Sequence, residues 1–159
     1  MNSKFRLALV FTALFIFAAS TARITSAAPA AGGCSMLTPA QIGKVLGQPF
    51  GAPAETKAPP AYGNQPWGSH CEYSSQKQSN ATVTFIVYVD ASPSEAKQTF
   101  DKLAFWYRPK SKPAIGDEAY IDAQGAIHVL KGKVRFYLSI SSANEKQTTD
   151  LAAAIAKSI

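Results

Sequence analysis

Two cysteines and two histidines are the side chains of this chain that could act as nucleophiles, bases or metal ligands. Cys34 and Cys71 are the only cysteines in the 159 residues, and His70 and His128 are the only histidines. A thiol beside an imidazole can act as a nucleophile with its base, so Cys71 with His128 is one pairing to weigh. The competing interpretation is that Cys71 is oxidised in a disulfide with Cys34 and that His128 is an ordinary strand residue. The N-terminal sequence favours this second interpretation.

The N-terminus has the order of a secretory signal peptide. Lys4 and Arg6 precede a nearly continuous apolar run over residues 7–19, and small residues follow as far as residue 31. A charged segment, a short apolar segment and a small-residue segment are the three parts of an export signal. The apolar run has 13 residues, whereas a membrane span needs about 20. We therefore expect no transmembrane segment in the mature chain.

Small residues permit cleavage after Ala22 or after Ala27, and we favour Ala27. The expected organisation is a signal peptide over residues 1–27 and a single exported domain over residues 28–159, located in the periplasm or outside the cell. Export leads to an oxidising compartment, where an even cysteine count predicts a Cys34–Cys71 disulfide. An alternative is a lipoprotein anchored at Cys34, because small residues precede that cysteine.

The charge of the mature chain is modest. Lys4, Arg6 and Arg23 leave with the signal, so 13 basic residues face 10 acidic ones and the net charge is +3. The remaining basic residues are scattered except in two loop-like stretches, 108–112 and 131–133. A charge this small and dispersed does not favour a nucleic-acid partner.

Hydrophobic periodicity and turn signals predict an α+β fold. The predicted helices cover residues 39–46, 93–106 and 144–158, and the predicted strands cover residues 71–74, 82–90, 119–121, 126–130 and 134–140. Prolines and glycines make residues 48–69 a long loop. The order α-β-β-α-β-β-β-α predicts an antiparallel five-stranded sheet with helices packed on one face. The predicted core is Phe85, Val87, Phe100, Leu103, Phe136, Leu138 and Leu151.

Four aromatic residues have no obvious core role and form the candidate binding surface. Tyr62 and Trp67 lie in the proline-rich loop, and Phe105 and Trp106 fall off the buried stripe of the second helix. One interpretation is that the loop folds over the end of this helix and buries the aromatics as a satellite cluster. The other is that they stay exposed and contact another envelope protein or a small ligand.

Other chemical sites find no support in the sequence. A Gly-x-Ser-x-Gly nucleophile motif does not occur, and no two histidines have helical spacing. Asp117 and Glu118 follow Gly116 and are typical of a solvated turn, and residues 122–125 lack the alternating oxygen ligands of a calcium loop. We predict no catalytic residues, no metal site and no cofactor.

Three segments together resemble a known family. Cys34-Ser35-Met36-Leu37-Thr38, Cys71-Glu72-Tyr73 and Ile115-Gly116-Asp117-Glu118-Ala119-Tyr120 occur in this order, with a helix ending in Leu46-Gly47 between the first two. The chain thereby resembles small secreted bacterial proteins of unknown function, whose actinobacterial members are often lipoproteins. The resemblance implies one α+β domain with both cysteines bonded, related to the fold of PsbP-type photosystem subunits and Mog1-like Ran-binding proteins. It implies no activity. The expected function is a non-catalytic binding or interaction module of the cell envelope; the alternative is an envelope enzyme or accessory subunit.

Overall fold

The computed structural model describes residues 32–62 and 65–159, and it contains an antiparallel sheet with three α-helices. The predicted signal peptide lies outside the described residues. A short 3-10 turn, Gly33–Met36, precedes the first helix. The helices are α1 (Pro39–Leu46), α2 (Pro93–Tyr107) and α3 (Glu145–Ser158), and the strands are β1 (Ala54–Ala58), β2 (Gly68–Ser74), β3 (Thr82–Val89), β4 (Glu118–Ile121), β5 (Ile127–Lys131) and β6 (Val134–Ile140). The predicted α+β class and antiparallel sheet are confirmed.

The sheet has six strands, so the prediction of five was wrong. The additional strand, β1, lies inside the segment 48–69 that the sequence predicted to be entirely loop. It pairs with β2 alone, from Ala54 opposite Glu72 to Ala58 opposite Gly68. An edge strand buries little, and only Ala58 of β1 is buried. It therefore carries no apolar alternation by which the sequence could reveal it.

The strand order is β1-β2-β3-β6-β5-β4, and every neighbouring pair is antiparallel. The pairing of β3 with β6 joins the two halves, with Phe85 opposite Leu138 and Val87 opposite Phe136. These alternating residues cover one face of the sheet, where α1 and α3 pack upon them. The main core on this face includes Ile42, Val83, Phe85, Val87, Ile127, Val129, Phe136, Leu138, Leu151 and Ile155.

Helix α2 packs on the opposite face, which corrects the expectation that all helices share one face. Its buried residues Ala96 and Phe100 form a second cluster with Tyr120 and Leu130. Tyr120 and Leu130 alternate with the residues that face α3, so their side chains point the other way. A helix's apolar stripe indicates that the helix packs on a sheet, but it does not indicate on which face.

Side chains hold the starts of α1 and α2. Thr38 accepts a hydrogen bond from the Gln41 amide, and the Gln41 side chain accepts one from the Thr38 amide. Ser92 caps α2 by accepting from the Glu95 amide. Such caps satisfy amides that have no partner inside a helix, and each contributes about 1 kcal/mol.

A disulfide joins the 3-10 turn to β2. Cys34 and Cys71 are bonded, with their Cα atoms 5.6 Å apart and a sequence separation of 37, so the predicted bond is confirmed. Beside it, the Tyr73 hydroxyl lies 3.0 Å from the Cys34 carbonyl oxygen, and burial raises the pKa of Tyr73 to about 12.

Candidate functional site

A cleft lies between α2 and the sheet. The first half of α2 packs closely, with the Phe100 ring 5.0 Å from that of Tyr120. The last turns of α2 face residues of β2, β3, β5 and β6 across an open space on this side of the sheet. This arrangement leaves a cleft of about 920 Å³. Volumes of 300–1,000 Å³ are typical of small-molecule sites.

One cross-strand row forms the floor of the cleft. The strand registers place His70, Ile86, Tyr137 and His128 side by side on β2, β3, β6 and β5. Directly opposed residues in a sheet have their side chains on the same face, so all four point into the cleft. Glu72, Thr84 and Tyr88 extend this floor on β2 and β3.

Three segments form the walls. Leu103, Trp106 and Tyr107 come from the last turns of α2, and Arg108 follows them. The opposite side is lined by Ala61, in the connection between β1 and β2. The turn between β4 and β5 closes one end with Asp122, Ala123 and Gln124. Leu103 was predicted to be a core residue, but it is only half-buried because the helix stands away from the sheet there.

A buried carboxylate and imidazole lie at the end of the cleft next to this turn. His128 Nε2 is 3.1 Å from Asp122 Oδ2, and both side chains are almost fully buried. The other carboxylate oxygen, Oδ1, accepts hydrogen bonds of 3.0 Å from the amides of Gln124 and Ala126. A carboxylate oxygen accepts hydrogen bonds, so His128 Nε2 donates to Oδ2.

Three tyrosine rings surround His128. The Tyr120 ring stacks on it at 4.4 Å, the Tyr107 ring lies 4.8 Å away, and the Tyr137 ring meets it edge-on at 5.1 Å. Burial lowers the pKa of His128 from its usual 6.5, although the hydrogen bond and charge of Asp122 oppose this shift. The imidazole is therefore neutral at pH 7, and the cleft presents it as an uncharged polar group.

A second buried pair supports the floor at the other end. Arg135 Nε lies 2.6 Å from Asp90 Oδ2 and the Arg135 Nη2 atom 3.0 Å from Oδ1, a bidentate geometry. The guanidinium carbon is 4.9 Å from the centre of the Tyr88 ring. The Tyr88 hydroxyl donates to the Pro59 carbonyl oxygen at 2.9 Å. This chain of contacts links the β1–β2 connection to the cleft floor.

The predicted aromatic residues are only partly brought together. Phe105 and Trp106 contact each other at a ring distance of 5.7 Å, and Trp106 also lines the cleft. The ring of Tyr62 lies 5.9 Å from Lys102 Nζ on α2. Trp67, Phe105 and Trp106 are 63%, 77% and 70% exposed, so they do not form the buried satellite cluster that was one of the two interpretations.

Sequence reasoning missed the Asp122–His128 pair. Asp122 was weighed as a calcium ligand, and His128 as a base for Cys71 or as an ordinary strand residue, but the two were not paired with each other. Cys71 is bonded to Cys34. The available signal was the turn Asp122-Ala123-Gln124-Gly125, because a tight turn brings an aspartate close to residues a few positions later. Among residues 32–62 and 65–159, no three His, Cys, Asp or Glu side chains gather as a metal ion would require.

Comparison with known proteins shows a shared fold. The extracellular domain of PknH from Mycobacterium tuberculosis superimposes on this chain with a TM-score of 0.57. The match covers 77% of this chain and 92% of that domain, and the sequence identity is 14%. No protein-family model matches the chain, and no curated protein matches it by sequence. At this identity the likeness concerns the fold alone. In the described part of the chain, no helix combines the length and the apolar character that a bilayer crossing demands.

Proposed function

We propose that this chain is an exported, non-catalytic module of the cell envelope that binds a small ligand in the cleft beneath α2. The single observation that carries the proposal is the cleft itself, which combines an apolar and aromatic lining with a few polar groups aimed inward. Sites for small molecules are typically built this way, because apolar area provides affinity and the polar groups fix orientation.

The lining indicates the chemistry of the ligand. Ile86, Leu103 and Tyr137 offer apolar and aromatic surface to a planar or aliphatic group. Glu72 and Arg108 offer opposite charges, and the neutral His128 offers hydrogen bonding without charge. A small amphipathic molecule, with one apolar part and a few hydrogen-bonding groups, suits this combination.

Three observations support placement in the envelope. The chain shares its fold with an extracellular domain, and a disulfide joins Cys34 to Cys71. Residues 1–27 have the pattern of a signal peptide. The resemblance to small secreted bacterial proteins points in the same direction, and membership of that family is part of this proposal.

The proposal is tested by NMR with a library of small amphipathic fragments. Binders should shift the amide signals of Ile86, Tyr137 and His128 before those of residues on α1 or α3. Ile86→Trp should fill the floor and abolish these shifts. Val89→Trp is the matched control, because Val89 lies on the same strand and is exposed outside the cleft. Fragments that bind a folded Ile86→Trp protein as well as the wild type would refute the cleft as the site.

A second candidate function is suggested by the Asp122–His128 pair. A neutral imidazole oriented by a buried carboxylate has the arrangement of a general base, and its lowered pKa leaves it unprotonated at pH 7. An enzyme built on this pair would hydrolyse or deprotonate a substrate held against Tyr137. Turnover of chromogenic esters or phosphates that is lost in His128→Gln but kept in His70→Gln would support this function over simple binding.

A further inference from the structure

The end of α2 carries an exposed pair of aromatic side chains. Phe105 and Trp106 meet edge-to-face and are each at least 70% exposed. The helix ends directly after them, because Arg108 adopts a left-handed conformation with φ of 50° and Pro109 follows. The two rings therefore lie exposed in the last turn of α2. Large aromatic groups clustered on a surface generally mark a contact site.

Basic residues surround these rings. Between Lys102 and Lys112 there are four basic residues and no acidic one, and all four are exposed. Lys102 lies on the same side of the helix as Phe105 and Trp106, three and four residues before them. We call Lys102, Phe105, Trp106, Arg108, Lys110 and Lys112 the basic aromatic tip.

Little of this positive charge is neutralised. Lys110 Nζ lies 3.7 Å from a Glu145 carboxylate oxygen, but both side chains are more than half exposed. Asp101, the nearest acidic residue in sequence, is already paired with Lys97 at 2.6 Å. The chain beyond the helix is held in place, since the Lys110 amide donates to the Ile121 carbonyl oxygen at 2.7 Å. The tip is therefore a fixed, positively charged surface with an apolar centre.

We propose that the basic aromatic tip docks on an anionic lipid bilayer. Tryptophan and other aromatic rings partition into the headgroup region of a membrane, and nearby lysines and arginines are attracted to anionic lipids. Exposed rings flanked by exposed basic side chains match an anionic bilayer, whose surface is negative and whose headgroup region accepts aromatic rings. Trp106 and Arg108 also line the cleft, so docking brings the α2 wall of the cleft to the bilayer.

The test measures binding to vesicles in the absence of any cleft ligand. Vesicles of phosphatidylcholine alone are compared with vesicles of phosphatidylcholine mixed with phosphatidylglycerol, by co-flotation and by Trp106 emission in a Trp67→Phe background. We expect binding only to the mixed vesicles, with a blue shift of Trp106 and weakening as salt is added. Each basic residue near an anionic surface contributes about fivefold in partitioning, so Lys110→Ala/Lys112→Ala should weaken binding by at least about tenfold.

Two further variants test whether binding depends on the basic aromatic tip or only on the net charge of the protein. Phe105→Ser removes an exposed ring that lies outside the cleft lining, and it should weaken binding while the protein stays folded by circular dichroism. Lys44→Ala/Lys146→Ala removes the same charge from α1 and α3, which pack on the other face of the sheet, and should leave binding unchanged. No binding to anionic vesicles at low salt would overturn the proposal. An equal loss in the two lysine variants, or unchanged binding by Phe105→Ser, would overturn it as well.

Discussion

His128 Nε2 lies 3.1 Å from Asp122 Oδ2, at a distance that gives the imidazole a charged partner without making it charged. Burial between the tyrosines lowers the pKa of His128 more than the carboxylate raises it. The same pair therefore fixes the orientation of the ring and keeps it neutral. Protonation of His128 in the folded protein is unfavourable because the ring is buried, so acid should destabilise the packing around this end of the cleft.

We predict that acid destabilises the protein through His128. The unfolded chain has the ordinary histidine pKa of about 6.5, and the folded chain has a lower one, so the unfolded state binds more protons below pH 6.5. The contribution of His128 to the free energy of unfolding should be constant above pH 6.5. Below pH 6.5 it should fall as the pH decreases, by at most about 1.4 kcal/mol per pH unit. Urea unfolding at pH 7.5 and pH 5.5 measures the difference.

A variant of His128 isolates this effect. His128→Gln should show a smaller loss of stability between the two pH values than the wild type. An NMR titration that places the His128 pKa above 6.5 in the folded protein would contradict the prediction.

We predict that the Cys34–Cys71 bond contributes substantially to stability. A bond that closes a loop of 37 residues lowers the entropy of the unfolded chain, which is worth about 4 kcal/mol in the chain-entropy model. Cys34→Ser/Cys71→Ser should lower the free energy of unfolding by an amount of this order. Thiol titration of the denatured, unreduced wild type should find no reactive thiol, and two thiols would show that the bond does not form in the exported protein.

Phe136 and Phe105 provide a matched pair for testing the core. The Phe136 ring is buried 5.6 Å from that of Phe85 in the middle of the sheet, whereas Phe105 is exposed. Phe136→Ala should cost about 3–5 kcal/mol of unfolding free energy through lost burial and a residual cavity. Phe105→Ala should change it by less than about 0.5 kcal/mol. Equal effects in denaturant titrations would mean that the register of β6 is wrong.

Both tryptophans should be open to solvent in the free protein. Trp67 and Trp106 are each more than 60% exposed, so their emission should resemble that of tryptophan in water and be quenched strongly by acrylamide. Trp67→Phe and Trp106→Phe allow each to be measured alone. A blue-shifted, shielded spectrum from either residue would favour the packed satellite cluster that the structure does not contain.

Much of the fold could be predicted because its signals are local. Thr38, Pro39 and Gln41 start α1 by capping chemistry that operates within four residues, and Gly47 ends the helix with a φ of 70°. The alternation of Val83, Phe85 and Val87 likewise reports burial along one strand. Each of these patterns lies within a single helix or strand, so it can be recognised without knowing how the elements pack.

What could not be predicted depends on how the elements meet. β1 is held by its pairing with β2, and its side chains are mostly exposed, so its composition resembles that of a loop. The cross-strand row in the floor of the cleft takes one residue from each of four strands. These residues are far apart in sequence, so no local pattern predicts that they meet. Helix α2 packs in a different cluster from α1 and α3, and periodicity within a helix does not encode the face of the sheet on which it packs.

Both edges of the sheet carry features that oppose pairing with a strand of another molecule. β1 has only five residues, Pro53 and Pro59 flank it, and Glu55 and Lys57 are exposed along it. At the other edge, Ile121 of β4 exchanges hydrogen bonds with Lys110 and Ser111, which occupies backbone groups that a further strand would need. Proline, charge and a covering segment are the features that prevent sheets from adding strands from other molecules. Growth of this sheet into intermolecular aggregates is therefore opposed at both ends.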